Sequence, residues 1–258
     1  MHGLGEHSGR YGHVAARLVE AGYAVLAVDL RGHGQSPGQR GDAPSYGSLL
    51  DDVDSLLAEA TRRFPGKPRF LYGHSLGGGL VLNYCLRRRP ALAGAIATAP
   101  LLRLAFAPPA GKLFAARLLN RVWPTRSLSN ELDLNDLSRD PVVVRAYRDD
   151  PLVHDRLSVR LGVTMLEAGR TALANAREIA VPLLIMHGGS DRITSADASE
   201  EFARSAGPGA SFKRWDQLYH EIHNEPEQAD VLAYVVSWLD ARIAGAEGVP
   251  QPPAIFTL

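Results

Sequence analysis

The chain has 258 residues, of which 45% are hydrophobic and 22% charged, proportions typical of a globular protein with one buried core. Its 28 Lys and Arg residues balance its 28 Asp and Glu residues, so the charge gives no reason to expect nucleic acid as a partner. The single cysteine excludes an internal disulfide and a cysteine-based zinc site. No apolar run approaches the ~20 residues of a membrane span and no signal-peptide pattern is present, so we expect a cytoplasmic protein.

Five short apolar runs predict the strands of a sheet. They cover residues 23–30, 68–75, 92–100, 181–189 and 210–216. The first four are almost continuously apolar, which is typical of strands buried on both faces, and the fifth is weaker. Helical patterns alternate with them, at residues 11–21, 45–63, 76–89 and 226–243. This alternation predicts an α/β fold with a mostly parallel central sheet and helices on both faces.

Residues 101–179 break the alternation, because they contain helical patterns but no convincing strand. Their first part, 101–126, carries five basic residues, no acidic residue and many large apolar ones. Two interpretations are open: a helix whose apolar face packs on the core, or a lid that lies on lipid or accepts an acyl chain. The tail, 245–258, has three prolines and no period, and is predicted to be disordered.

A G-x-S-x-G sequence covers residues 73–77, between the second predicted strand and the helix that follows it. This is the position of a nucleophile elbow, in which a serine lies at a strained turn with its hydroxyl exposed. Glycines on either side allow neighbouring backbones to approach closely. Ser75 is therefore the candidate nucleophile. The alternative is a glycine-rich helix start that only packs tightly.

A serine hydroxyl needs a base to take its proton, and the base needs a carboxylate to orient it. In this fold the chain order is serine, acid, histidine. Asp191 follows the fourth predicted strand and His220 follows the fifth, so both should lie at the sheet edge where Ser75 emerges. His223 is a rival base, deeper in the next helical pattern. The rival acids, neither of which follows a buried strand, are Asp216 and Glu221.

Two backbone N–H groups should receive the negative charge that develops on the substrate oxygen. One belongs to Leu76, directly after the candidate nucleophile. The other is expected from a His-Gly loop, and the sequence HGLG at residues 2–5 predicts Leu4 as its donor. The polar residues that follow, including Glu6, either line the polar end of a pocket or cap the next helix.

Seven segments carry a family resemblance: HGLGEHSGRYGHVAARL, GYAVLAVDLRGHGQSPGQRG, LYGHSLGG, LSRDPVVVRAY, DPLVHDRLS, VPLLIMHGGSDRIT and LYHEIHNEPE. Together they resemble the monoacylglycerol lipase and lysophospholipase branch of the α/β-hydrolase superfamily, from residue 2 to about residue 240. The HG-x-GEHSGRY opening is more selective than G-x-S-x-G alone. The resemblance implies an α/β-hydrolase core at 1–100 and 180–244 with a helical cap at 101–179.

The resemblance also implies the chemistry. The nucleophile, acid and base of the family correspond to Ser75, Asp191 and His220, and its oxyanion donors correspond to Leu4 and Leu76. The expected activity is hydrolysis of glycerol monoesters of fatty acids, without a metal or organic cofactor. The alternatives are a lysophospholipase, a broad esterase on short acyl esters, acyl transfer or perhydrolysis by the same triad, and an inactive truncated paralogue.

The cap is expected to serve the lipid substrate. Leu113 and Phe114 are candidate contacts for the acyl chain, and the cap is a candidate for transient contact with a membrane or micelle surface. No oligomeric state is predicted.

The start of the chain departs from the family pattern, in which the His-Gly loop follows strands of the central sheet. The strand leading into that loop should lie between the strands at 23–30 and 69–72. We therefore expect either a slot about two ~4.8 Å spacings wide or direct pairing of those strands. We also expect the working enzyme to begin upstream of Met1.

Overall fold

The protein is described by a computed structural model, which covers residues 1–246 and 255–257. The strands in that part of the chain are β1 Ala24–Leu26, β2 Arg69–His74, β3 Gly94–Thr98, β4 Ser127–Ser129, β5 Arg156–Ser158, β6 Leu183–Gly188, β7 Ala210–Trp215 and β8 Ile255–Thr257. Six of them form one parallel sheet in the order β1-β8-β2-β3-β6-β7. The predicted parallel sheet is confirmed.

The helices in that part of the chain are α1 Gly12–Glu20, α2 Tyr46–Arg63, α3 Leu76–Arg88, α4 Ala110–Val122, α5 Pro141–Asp149, α6 Val159–Ala174, α7 Ala196–Ala206 and α8 Gln228–Ala246. Outside the cap, four helices agree closely with the predicted ones, and α7 is a further helix that was not predicted. Local signals fix several boundaries. The Ser45 hydroxyl, for example, accepts a hydrogen bond from the Ser48 N–H, and the Ser48 hydroxyl accepts one from the Ser45 N–H, which closes a capping box at the start of α2.

Side chains of the central strands alternate between two apolar cores, one on each face of the sheet. Leu71 and Ala95 pack with α2, α3, α6 and α7 on one face. Phe70, Tyr72 and Ile96 pack with α1 and α8 on the other face. Burial on both faces explains why these strands are almost continuously apolar in sequence.

The region between β1 and β2 differs from both expectations for it. β8 lies in this position and pairs in parallel with both neighbours, so the strands neither leave an open slot nor pair directly. The Met1 carbonyl also accepts a hydrogen bond from the His74 N–H, at 3.0 Å. The prediction of disorder for residues 245–258 is wrong for β8 and for the end of α8. Residues 247–254 and 258 lie outside the described part of the chain.

The segment 101–179 contains α4, α5 and α6, and also an antiparallel pair formed by β4 and β5. The expectation of no strand here is wrong, because three-residue strands are too short to show an alternating pattern. α6 packs on α3 and contributes buried residues to the core, whereas α4 has none. α4 packs on α6 with half-buried side chains, so its apolar residues are only partly covered and both interpretations of the 101–126 stretch stay open for this helix.

A groove of about 950 Å³ lies between the end of β1, the loop that follows it and α2. Its lining includes Leu26, Val28, Arg31 and Asp52. None of the candidate nucleophile, acid or base residues lines it, so we do not assign the groove to the ester substrate. Among residues 1–246, the helices fall short of the length and hydropathy needed to cross a membrane.

Candidate active site

The turn between β2 and α3 holds Ser75 in a left-handed conformation, with φ 55° and ψ −116°. For a residue with a side chain this costs on the order of 1–3 kcal/mol. Hydrogen bonds hold the turn in place: the Ser75 N–H donates to the Thr98 carbonyl at 2.9 Å, and the Ser75 carbonyl accepts from Gly79 and Leu101. The strained turn leaves Ser75 partly exposed at the carboxyl end of β2.

The His-Gly loop packs directly against this turn. A Cβ atom at position 77 would lie 2.2 Å from the Met1 carbonyl oxygen, and one at position 3 would lie 3.3 Å from Cβ of Ser75. Only glycine at residue 77 allows the loop to come this close. The loop predicted to supply an oxyanion donor is thus beside the candidate nucleophile.

The three predicted catalytic side chains lie together. The Ser75 hydroxyl is 2.9 Å from His220 Nε2, and His220 Nδ1 is 2.7 Å from Asp191 Oδ2. The Asp191 side chain is fully buried and that of His220 is 4% exposed. Because β2, β6 and β7 are parallel, the residues that follow them meet at one edge of the sheet. The arrangement has the geometry of a nucleophile, a base and an orienting carboxylate.

The charges of this trio depend on one another. Burial disfavours the charged form of Asp191, but the imidazole of His220 and hydrogen bonds from two histidines hold the pKa of this carboxyl far below its usual range. Burial also opposes protonation of His220, yet the adjacent Asp191 charge outweighs it and raises the pKa of His220. Asp191 is thus ionised and able to stabilise an imidazolium at His220.

Donors surround the Asp191 carboxylate. Oδ1 accepts hydrogen bonds from the Ile193 and Thr194 N–H groups, at 2.7 and 3.0 Å. Oδ2 contacts the Thr194 hydroxyl at 2.9 Å and His187 Nε2 at 3.0 Å. Sequence reasoning missed Thr194 and His187, although both lie in the segment IMHGGSDRIT. The available signal was a histidine at the end of a buried strand, four residues before the candidate acid.

The rival base has a different environment. His223 is fully buried and stacks on Tyr11 with ring centroids 4.9 Å apart. Within residues 1–246, neither of its ring nitrogens has a hydrogen-bond partner. Burial lowers the pKa of His223 to about 3, so the ring stays neutral. The structure brings His220, and not His223, to Ser75.

The rival acids are placed elsewhere. Asp216 is exposed. Glu221 is buried and forms a two-pronged ion pair with Arg10, with both N···O distances 2.7 Å. Neither carboxylate contacts His220 through a hydrogen bond in the described residues. Asp191 is the carboxylate that orients this histidine.

Glu6 organises the His-Gly loop from inside the protein. Its Oε1 accepts hydrogen bonds from the Gly3 N–H at 2.5 Å and the Tyr11 hydroxyl at 2.7 Å, and its Oε2 accepts one from Arg10 at 2.5 Å. Protein donors therefore engage both oxygens. Of the two interpretations of this residue, a polar pocket wall and a structural cap, the contacts favour a structural one.

The two predicted oxyanion donors have free N–H groups. Neither the Leu4 nor the Leu76 N–H donates to an acceptor within the described residues. Leu76 is the first residue of α3, where unpaired N–H groups and the helix dipole attract negative charge. Leu4 follows Gly3, beside Ser75. At these positions, both N–H groups are available to donate hydrogen bonds to an oxyanion.

Part of the cap is fastened to this site. The His154 N–H donates to the Gly5 carbonyl at 2.8 Å, and Asp150 lies 2.8 Å from His7 Nε2. The Glu221 N–H donates to the Leu137 carbonyl at 2.8 Å. The segment around α5 is therefore attached both to the His-Gly loop and to the residue that follows His220.

The two candidate acyl-chain contacts lie on α4. Phe114 is 70% exposed and Leu113 is half-buried. In this structure the outer face of α4 is apolar, and Phe114 lies on it.

Comparisons with known proteins agree with this geometry. A family profile described as "Serine aminopeptidase, S33" matches residues 1–227. A monoacylglycerol lipase from Mycolicibacterium smegmatis is 35% identical over 244 residues, which are 94% of this chain and 87% of that protein. An uncharacterised abhydrolase domain-containing protein of Dictyostelium discoideum is 38% identical over 96% of this chain, but the chain spans only 26% of its length.

A solved structure extends the match to three dimensions. The crystal structure of a monoacylglycerol lipase from Paleococcus ferrophilus superposes with a TM-score of 0.87 at 37% identity, covering 94% of this chain and 93% of that one. A family profile that spans most of the chain and relatives above one third identity show common descent. The chain belongs to the α/β-hydrolase superfamily, in the branch that contains the monoacylglycerol lipases.

Proposed function

We propose that this chain is a serine ester hydrolase that cleaves monoacylglycerols into a fatty acid and glycerol. The observation that carries the proposal is the continuous relay from Ser75 Oγ through His220 to Asp191, with hydrogen-bond distances of 2.9 and 2.7 Å. The substrate class is supported by the monoacylglycerol lipases to which the chain is similar over almost its whole length.

In the first half of the reaction, Ser75 Oγ attacks the ester carbonyl carbon while His220 Nε2 takes its proton. Asp191 holds the ring so that Nε2 faces the serine, and its charge stabilises the imidazolium. The N–H groups of Leu4 and Leu76 receive the oxyanion of the tetrahedral intermediate. The imidazolium then donates its proton to the glycerol oxygen, and glycerol leaves an acyl-enzyme.

In the second half, water replaces glycerol. His220 takes a proton from the water as it attacks the acyl carbonyl, and the same oxyanion donors stabilise the second intermediate. Proton return from His220 to Ser75 Oγ releases the fatty acid and restores the enzyme. The pKa of His220, raised by Asp191 against the effect of burial, suits a group that accepts and returns a proton in each half.

The test compares the wild type with Ser75→Ala in a titration of released fatty acid. With monoacylglycerol as substrate, the variant should lose ~10⁴-fold or more in kcat, because the members of a triad act as one unit. Parallel assays with diacylglycerol, triacylglycerol, lysophosphatidylcholine and a short-chain p-nitrophenyl ester measure specificity. A higher kcat/KM for lysophosphatidylcholine would replace the proposed substrate class, and a fully active Ser75→Ala variant would refute the mechanism.

The exposed face of α4 supports a further part of this proposal, a reversible contact with the lipid surface that holds the substrate. Phe114, Leu118 and Val122 recur every four residues and so lie on one side of the helix. Val122 is 78% exposed, and Trp123 extends the apolar surface. Arg126 lies over the Trp123 ring at 5.0 Å. Clustered apolar side chains with cations beside them are typical of helices that lie in a membrane interface.

This contact is tested by sedimentation with lipid vesicles. Phe114→Ser combined with Val122→Ser should reduce the bound fraction, because burial of each large apolar side chain contributes ~1.5–3 kcal/mol. Activity on a water-soluble short-chain ester should stay unchanged in the same variant. Equal vesicle binding by variant and wild type would contradict the contact.

A further inference from the structure

His187 is a buried histidine outside the relay, at the end of β6. Its side chain has no exposed surface. Its Nε2 lies 3.0 Å from Asp191 Oδ2, and its Nδ1 lies 2.8 Å from the hydroxyl of Ser199 on α7. The mechanism above does not use this histidine, yet it contacts the carboxylate that orients the base.

The surroundings of the ring fix which nitrogen carries the proton. Nε2 faces the Asp191 carboxylate and, at 3.2 Å, the Thr194 carbonyl, two oxygens that can only accept a hydrogen bond. Nε2 must therefore carry a hydrogen and donate it. In the neutral ring Nδ1 is then an acceptor, and the Ser199 hydroxyl donates to it. The Asp191 carboxylate and the Thr194 carbonyl thus select the tautomer of His187, and the Ser199 hydroxyl orients to match it.

Two imidazole N–H groups consequently meet at one oxygen. Asp191 Oδ2 accepts from His220 Nδ1 at 2.7 Å and from His187 Nε2 at 3.0 Å. The His187 N–H, together with the Thr194 hydroxyl that also donates to Oδ2, helps to hold the carboxylate in place for His220. It also draws negative charge away from His220, because each donor that shares an anionic oxygen weakens the others.

We propose that His187 is a positioning residue that holds the Asp191 carboxylate and limits how strongly it attracts the proton on His220. The proposal rests on the proposed function, because it assumes that His220 is the base. It extends the relay to five groups in the order Ser75, His220, Asp191, His187 and Ser199.

Other charged and titratable groups also face His220, and the test must leave them unchanged. His74 lies beside it, with ring centroids 4.7 Å apart, and burial lowers the pKa of His74 well below its usual value. Burial also lowers the pKa of His223, which keeps that ring neutral. The carboxylates of Glu221 and Glu6 act on His220 through their charge. Substitutions at residue 187 alter none of these groups directly.

The experiment compares two amides at residue 187. In His187→Gln, the amide nitrogen reaches about as far as Nε2 and is able to donate to Asp191. In His187→Asn, the shorter side chain reaches only the position of Nδ1 and leaves Asp191 without this donor. Both variants bury one polar amide of similar chemistry, so they are matched controls for the loss of the ring.

We expect His187→Gln to keep kcat/KM within about threefold of wild type. His187→Asn should lose about 10- to 100-fold, the order found when partners that orient metal-binding histidines are removed. Without the donor, Asp191 attracts the His220 proton more strongly, so the pKa of His220 rises. The acid limb of the kcat/KM profile should then move to higher pH by about 0.5–1 unit in His187→Asn only.

Equal kcat/KM and equal pH profiles in the two variants would overturn the proposal and leave His187 a packing residue. A spectroscopic measurement on the wild type is independent of whether the variants fold. Long-range ¹H–¹⁵N spectra of the histidine rings should show His187, assigned by its shift in Ser199→Ala, with its hydrogen on Nε2. Hydrogen on Nδ1 would also overturn the proposal. Failure of this proposal can be distinguished from failure of the proposed function. The proposed function fails if Ser75→Ala, made without any change at residue 187, keeps its activity.

Discussion

Glu6 provides the sharpest test of how the fold supports the oxyanion loop. The substitution Glu6→Gln keeps the shape of the side chain but replaces one acceptor oxygen by an NH₂ group. In the wild type, Glu6 Oε1 accepts hydrogen bonds from the Gly3 N–H and the Tyr11 hydroxyl, and Oε2 accepts one from Arg10. In either orientation of the glutamine amide, the NH₂ group faces a group that also donates. In both orientations, the substitution therefore leaves a buried N–H donor that faces another donor.

The magnitude follows from burial and from the remaining partners. Glu6 is 2% exposed. Removing one member of a buried ion pair typically costs about 3–5 kcal/mol. Arg10 keeps its two hydrogen bonds to Glu221, so we expect the lower end, about 3 kcal/mol. For a chain of this size, that loss corresponds to a decrease in Tm of about 6–12 °C.

Activity should fall as well, because the Gly3 N–H that Glu6 holds precedes the donor Leu4. Complete loss of one oxyanion donor costs about 10²–10³ in kcat. A displaced donor should cost less, so we expect about a 10-fold to 100-fold loss in kcat with little change in KM.

The assay combines thermal unfolding with ester hydrolysis of the folded variant. The control is Glu59→Gln on α2, which removes hydrogen bonds to Arg62 and Arg63 at the protein surface. Exposed pairs of this kind contribute little to stability, so this variant should behave like wild type. If Glu6→Gln unfolds at the temperature of Glu59→Gln and keeps its kcat, the assignment of Glu6 as the anchor of the loop is refuted.

Three further predictions concern the base, the pH dependence and the cap. His220→Gln should lower kcat/KM by about 10²- to 10⁴-fold and His223→Gln by less than about tenfold, and the reverse pattern in the same ester assay would transfer the role of base. Because Asp191 raises the pKa of His220 against the effect of burial, and only the neutral ring accepts the serine proton, kcat/KM should decrease as pH falls through that raised value. A profile that stays flat to below the ordinary histidine pKa of ~6.5 would contradict this. Replacing Leu113 and Phe114 together by Ser should slow hydrolysis of laurate esters more than that of acetate esters, because the proposed contact of the α4 face with lipid buries apolar groups worth ~0.8 kcal/mol per methylene, and equal losses would indicate a folding defect instead.

The sequence predicts most of the sheet because each central strand is buried on both faces. Continuous apolar runs bounded by glycine or proline locate β2, β3 and β6 to within two residues at either end. Ser75, Asp191 and His220 follow from the order of these strands, since parallel strands deliver the residues after them to one edge. This part of the prediction depends on local pattern and on chain order, both of which are visible in a single sequence.

The first predicted strand shows where local pattern fails. Residues 23–30 are as apolar as the other runs, but only Ala24–Leu26 is regular strand. A strand needs a neighbour to pair with, and within the described residues β8 pairs with β1 over three residues. Beyond it, the Leu30 N–H donates to the ring of His2 at 2.9 Å and not to another strand. Apolar sequence thus predicts burial, whereas the length of a strand depends on its partner.

The buried charge network shows a second limit. Glu6 and Arg10 are four residues apart in sequence, so their pairing was open to local reasoning. The second partner of Arg10, Glu221, is distant in sequence and was a rival for the role of acid. Only the fold reveals that its carboxylate neutralises Arg10 and leaves Asp191 to orient His220. The chemistry of a carboxylate is therefore decided by its partner more than by its place in the chain.

The cap has two parts that differ in how firmly they are attached to the rest of the protein. Only one of them contacts the oxyanion loop. The segment around α5 is held by the Arg10 guanidinium, 4.5 Å above the Tyr147 ring, by the pairing of Asp150 with His7, and by the hydrogen bond from His154 to the Gly5 carbonyl. Lifting this segment would break all three contacts and disturb the loop that presents the Leu4 N–H. α4 has no fully buried residue and packs mainly on α6, so its displacement leaves these three contacts intact. The fold therefore allows lipid to displace α4 while the oxyanion loop keeps the geometry that ester hydrolysis requires.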